Sequence, residues 1–226
     1  LNQHRGVGNL FDVKLQAIEN MAKVGMKTTL VTTIVNGVNN HGIGAIVDFA
    51  VRNIDKIQTI AFQPVSFTGR DEDIDDETRY AQRYTLSQMT EDLREQLGSD
   101  WDPMRDWFPL SSYSAFTSVM DLLQGADAPW GWSACNCHPN CGIFSLLVVN
   151  RKTHEFTPLY KFFDYEQFIR DVAVITDTAR GKTLTAAQLA LSIMRNYKAG
   201  KAPEGFPIQQ IVNLFKPSSS TPNSDR

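Results

Sequence analysis

Two β-branched, almost uncharged runs restrict this chain more than any other feature. They are residues 28–35 (Thr-Thr-Leu-Val-Thr-Thr-Ile-Val) and 59–65 (Thr-Ile-Ala-Phe-Gln-Pro-Val). Such runs predict strands buried on both faces. Between them Gly37-Val38-Asn39-Asn40 makes a loop, and residues 43–51 carry Ile43, Ile46, Val47 and Ala50 at helical spacing. Strand to strand is about 30 residues, the length of a right-handed βαβ unit. A helix is also expected ahead of the first strand, over 12–24, where Leu15, Ile18, Met21 and Ala22 share a face and Gly25 stands as an αL cap. Pro64 cannot donate to a ladder, so the second strand belongs at an edge or at the end of a series.

Helix, strand, helix, strand, with no strand before the first helix, predicts the closing part of a parallel α/β barrel or sheet whose other strands lie upstream. Ligands in such folds gather at the carboxyl ends of strands. That places Asn36, Gly37 and Asn39 after the first strand, and Ser66, Phe67, Thr68, Gly69 and Arg70 after the second, at the expected site.

All three cysteines fall in one heptapeptide, Cys135-Asn-Cys137-His138-Pro139-Asn-Cys141, followed by Gly142. Thiolates brought together around a Pro and Gly turn suit a soft metal centre. Three readings stay open on the residues alone. The cysteines are inert, or include a strained Cys135 to Cys137 disulfide; they hold zinc with His138 or a distant fourth ligand; or they hold an iron-sulfur cluster, which accepts irregular spacing. His138 is expected to orient the turn rather than to ligate.

Composition excludes several classes. With 226 residues, 42% hydrophobic, 21% charged and a net charge of -3, the chain can bury a core and shows no basic footprint for nucleic acid. No apolar stretch approaches the roughly 20 residues of a membrane helix, and an odd cysteine count fits a reducing, cytoplasmic setting. The acidic run from Asp71 to Glu77 is not a calcium loop. Asp76 stands where the loop needs Gly, and Gln82 where it needs Glu. Those acids are expected to favour the amino end of a helix over 84–97, with Leu86, Met89, Leu93 and Leu97 as its packing stripe. Gly181-Lys182-Thr183 imitates a phosphate loop, but its first glycine would fall at Thr176 and no suitable buried strand precedes it.

Between 101 and 132 the aromatics Trp101, Trp107, Phe108, Tyr113, Phe116, Trp130 and Trp132 are expected to pack around an irregular loop that keeps the cysteine turn dry. A strand over 143–149, a turn over 151–154 and a returning strand over 156–159 predict a hairpin beside it. Asp164 and Gln167 predict a capping box for a helix over 165–175, and Thr185 starts another reaching Gly200. Residues 218–226 are Ser- and Pro-rich and expected to be disordered. The expected domains are therefore 1–70, the last βα units of the barrel; 71–100, an acidic linker and helix; 101–216, a small α+β metal domain; and 217–226, a tail.

Several ordered segments together resemble the radical S-adenosylmethionine enzymes, in particular the subgroup of the archaeal tetraether lipid synthase and the radical methylases of pterin biosynthesis. Arg5-Gly6, Lys14-Leu-Gln-Ala-Ile-Glu-Asn20, Gly25 and residues 28–39 are similar to the fourth helix and fifth strand of the superfamily's partial (β/α)6 barrel. Phe62-Gln-Pro-Val-Ser-Phe-Thr-Gly-Arg70 is similar to the sixth strand and its exit, and is the most specific match. Asp106-Trp-Phe-Pro-Leu110, followed by Cys137-His-Pro-Asn-Cys-Gly142, resembles an extension carrying an auxiliary 4Fe-4S centre.

The resemblance implies a carboxyl-terminal part of a partial TIM-like barrel followed by an auxiliary iron-sulfur domain. It implies cleavage of S-adenosylmethionine to a 5'-deoxyadenosyl radical for C-H activation of a small-molecule or lipid substrate, with a ferredoxin or flavodoxin as electron donor. By position, Thr33, Val35 and Asn36, with Gln63 and Val65, would help form the adenosine pocket, and Cys135, Cys137 and Cys141 would serve the auxiliary cluster. The CxxxCxxC motif of the catalytic cluster belongs on the first barrel strand and is not in this sequence, so no residue is named as catalytic. The reading from another class is a zinc- or iron-sulfur-binding interaction module without enzymatic activity.

Overall fold

Residues 8–67, 74–98, 100–124 and 138–214 are described in the computed structural model. The chain divides into two units, Leu1–Pro103 with Val148–Phe156, and Met104–Leu147 with Thr157–Arg226.

The first unit is built on the expected βαβ crossover. Helix α1 (Phe11–Lys23) ends before Gly25, which takes the left-handed φ of +76° that a side chain would resist. Strand β1 (Thr28–Ile34), helix α2 (Ile43–Arg52) and strand β2 (Ile57–Pro64) follow. The strands are parallel, with Leu30 opposite Ile60, Thr32 opposite Phe62, Thr33 opposite Gln63 and Ile34 opposite Pro64. Pro64 stands at the last register position of a two-stranded sheet, where its missing N–H costs no central ladder bond.

The strands are not buried on both faces. Burial alternates along β1, with Val31 60% exposed beside a fully buried Ile34. Helices cover one face, where Ile18, Ala50 and Ile57 form a core with Leu30, Phe49 and Ile60 packed against it. Among the described residues no helix covers the opposite face, where Thr29, Val31 and Thr33 are exposed. A β-branched run therefore reported pleated-strand propensity, and the expectation of two-sided burial did not follow from it.

Two helices stand where one was expected. Asp75 caps α3 (Asp76–Gln82) by accepting the Thr78 N–H at 2.6 Å, and Thr85 with Gln88 forms a full capping box for α4 (Leu86–Leu97). Tyr84, expected inside the helix, lies in the break and is buried. Its hydroxyl donates to Asp92 Oδ2 at 2.7 Å, and burial followed by that bond pushes its pKa up. Gly98 ends α4 in the left-handed conformation. Gly44 allows α2 to approach α4 closely: a Cβ there would lie 2.7 Å from Gln96 Cβ, and the Gly44 N–H donates to Gln96 Oε1 at 2.9 Å.

In the second unit a short ladder joins β3 (Phe108–Pro109) to β4 (Ile143–Phe144). Helices α5 (Ser114–Gln124), α6 (Tyr165–Asp177), α7 (Lys182–Asn196) and α8 (Gln209–Leu214) accompany it. The single strand expected over 143–149 is two. Phe144 pairs back to Phe108, whereas β5 (Leu147–Val149) pairs with β6 (Phe156–Pro158) in the expected hairpin, whose stretch 148–156 belongs to the first unit. Residues 114–124 form a helix rather than an irregular loop, burying Val119, Met120 and Leu123. Helix α7 begins at Lys182, so the apparent phosphate loop is a helix start. Asp164 caps α6 through the Gln167 N–H, but Gln167 turns its amide to Asp171 instead of completing the box. Phe108, Tyr160, Tyr165, Phe116 and Phe168 pack ring against ring, with centroids 4.5 to 6.0 Å apart along the chain of contacts.

Candidate functional site

The carboxyl ends of β1 and β2 are shaped by asparagines. Asn39 accepts the Val35 N–H with Oδ1 at 2.8 Å and donates Nδ2 to the Thr33 carbonyl at 2.9 Å, closing the loop after β1 on itself. Gly37, at φ +73°, donates to Asn40 Oδ1. Asn36 reaches further. Its N–H donates to the Gln82 carbonyl at 3.1 Å and its Nδ2 to the Ala81 carbonyl at 2.9 Å, fastening the carboxyl end of α3 to the end of β1.

That fastening leaves a cleft of about 360 Å³ between the exit of β2 and α3. Val65, Ser66 and Phe67 form one wall, and Asp76, Arg79, Tyr80 and Arg83 the other. Arg79 pairs with Asp76 at 3.2 Å. Tyr80 is 77% exposed, and Arg83 makes no ion pair or hydrogen bond among the described residues. A cleft of this volume is ligand-sized, and its mixture of apolar, aromatic and cationic groups offers both area and orientation to a bound molecule.

The five residues expected at a cofactor site separate here. Val65 lines the cleft. Thr33 and Gln63 are register partners and both exposed, on the sheet face that no helix covers among the described residues. Val35 contributes its backbone to the Asn39 loop, and Asn36 spends its amide on α3, so it acts as a positioning residue. Among the residues after β2, Ser66 and Phe67 line the cleft, whereas Thr68, Gly69 and Arg70 lie outside the described residues. Arg79, Tyr80 and Arg83 were missed. Their signal was the helix start at Asp75, inside an acidic run expected instead to favour the amino end of a helix beginning at 84.

Of the cysteines, Cys135 and Cys137 lie outside the described residues, as do Trp130 and Trp132. Cys141 closes a short 3-10 turn, Pro139–Cys141, and its thiol is exposed. His138 Nδ1 accepts the Asn140 N–H at 3.2 Å, the turn-orienting role expected of it. The Gly142 carbonyl accepts the Leu110 N–H at 2.8 Å, and Phe144 next to it packs edge-on to Tyr113 and Tyr165. Among the described residues the aromatic rings cover this ladder, and Cys141 is exposed. Burial pushes the Tyr165 pKa up to about 12, and its hydroxyl lies 3.3 Å from Ser112 Oγ.

The first unit is a parallel α/β crossover with a ligand-sized cleft at its carboxyl ends. No family model matches the chain. It is similar to 7,8-dihydro-6-hydroxymethylpterin dimethyltransferase of Methanocaldococcus jannaschii, 29% identical over 212 residues that cover 92% of the chain. The chain spans 40% of the length of that curated relative.

Proposed function

We propose that this chain is part of a radical S-adenosylmethionine methyltransferase acting on a pterin-type small molecule. The observation that carries the reading is the 29% identity to a pterin dimethyltransferase over nearly the whole chain. The order of the family-like segments, residues 28–39, 62–70 and 137–142, agrees with it.

In this reading the first unit is the closing part of a partial barrel, and its helix-free sheet face is the barrel interior. Thr33 and Gln63, polar and exposed side by side, would hold the adenosine portion of S-adenosylmethionine, with Val65 as an apolar wall. Bound with a reduced 4Fe-4S cluster, that cosubstrate supplies hydrogen abstraction from an unactivated carbon. The protein's own residues bind, orient and exclude water. Asn36 holds α3 over the strand ends, and Phe67 lines the cleft. Cys141 offers an exposed sulfur on a short 3-10 turn, a donor of the right chemistry for an auxiliary cluster that Cys135 and Cys137 would complete.

The test has two arms. The reading frame upstream of Leu1 is sequenced for a CxxxCxxC segment, and the protein carrying it is incubated anoxically with reductant, S-adenosylmethionine and 6-hydroxymethyl-7,8-dihydropterin. Formation of 5'-deoxyadenosine with a methylated pterin is expected; neither product from iron- and sulfide-loaded protein overturns the reading. Metal analysis of the anoxically purified protein is expected to find iron with acid-labile sulfide, and stoichiometric zinc without sulfide would sink the auxiliary cluster.

A further inference from the structure

We infer that the cleft between the exit of β2 and α3 is an anion subsite taking the phosphate monoester of a planar heterocycle, held by Arg83 with Tyr80 against the ring. The inference concerns α3 rather than the strand residues assigned to the cosubstrate, and rests on the pterin reading only for the choice of ring.

Charge and exposure carry it. Arg83 stands in the cleft wall with no ion pair or hydrogen bond among the described residues. The other exposed basic side chains on these helices are matched, Arg79 by Asp76 and Arg94 by Glu91. An unmatched guanidinium in a concave site is a ready bidentate partner for phosphate oxygens. Next to it Tyr80 leaves 77% of its surface in solvent, an aromatic area that a stacked heterocycle would cover. Ser66 adds a hydroxyl on the opposite wall, and Phe67 an apolar surface. Among the described lining residues two guanidiniums face one carboxylate, a positive balance. That balance suits a phosphate dianion and disfavours S-adenosylmethionine, whose sulfonium and ammonium outweigh its carboxylate. The volume of about 360 Å³ lies at the small end of ligand pockets, enough for a bicyclic ring and one small acidic group.

The 226-residue chain is titrated with 6-hydroxymethylpterin, its phosphate monoester, adenosine and AMP. At least one phosphate ester is expected to bind about tenfold more tightly than its neutral parent, the worth of a charge-assisted hydrogen bond. Arg83→Gln is expected to erase that difference while leaving the neutral compound unchanged, Arg83→Lys to restore part of it, and Tyr80→Ala to weaken ester and parent alike. Raising the salt from 50 to 500 mM should weaken only the esters. AMP behaving in this way without either pterin would sustain the anion subsite while removing the pterin reading. Equal binding of esters and parents, no binding of any of the four, or an ester preference that survives Arg83→Gln in a variant with unchanged circular dichroism overturns the inference.

Discussion

Asp171 shows how a single carboxylate can join two helices. It stands on α6 and accepts hydrogen bonds from Ser192 at 2.5 Å, Arg195 at 2.6 Å and Asn196 at 2.9 Å on α7, besides Gln167 on its own helix. Burial alone would raise its pKa, but those four donors outweigh it and hold the carboxyl well below the usual range. A depressed acid stabilises the fold above its unfolded pKa of about 4, and that contribution is lost as the pH falls through this value toward the folded one. Asp171→Ala is expected to cost about 1 to 3 kcal/mol at pH 7, because it leaves the buried Ser192 hydroxyl without its acceptor and Asn196 with only its bonds to Ser192. Urea midpoints at pH 7 and pH 3 check this: wild type should lose more than Asp171→Asn on acidification, and equal losses would refute the assignment. Neither the partners nor the shift was visible in the sequence, where Asp171 is one acid among 25 Asp and Glu. Gly44 is similar. Gly44→Ala should cost about 1 to 3 kcal/mol by driving α2 from Gln96, read as a lower thermal midpoint.

The element most dependent on others is α3. Seven residues cannot sustain a helix in water, so its persistence depends on the Asp75 cap at one end and on Asn36 at the other. Asn36→Ala should remove about 1 kcal/mol from α3 alone. Hydrogen exchange is expected to quicken across residues 76–82 and to stay unchanged in α4, which has its own capping box. Quickening of both helices would mean that Asn36 supports the whole unit. At this scale the sequence was readable where the signal is local: Gly25, Gly98 and the Asp164 cap all appear at or beside the expected ends. It was unreadable at Tyr84, whose burial and bond to Asp92 break the helix between α3 and α4.

For the whole molecule, the 29% identity to the pterin dimethyltransferase carries the functional reading, and among the described residues no helix is long and apolar enough to cross a membrane. If the cysteines serve a cluster rather than the fold, Cys141→Ser should shift apoprotein stability by less than about 0.5 kcal/mol, as for other exposed positions, while abolishing or altering the cluster's visible absorbance after anoxic reconstitution. Lost apoprotein stability with unchanged absorbance would assign Cys141 to structure instead. The sequence by itself determined the helix, strand, helix, strand order of residues 11–64, the parallel pairing that the connection length permits, and the ends at Gly25, Gly98 and Asp164, because each depends on residues near one another in the chain. Which face of β1 is covered, and where a ligand can enter, only the tertiary structure decided. One wall of the cleft is α3, whose end Asn36 fastens through Ala81, 45 positions away, and such a contact leaves no periodicity in the chain.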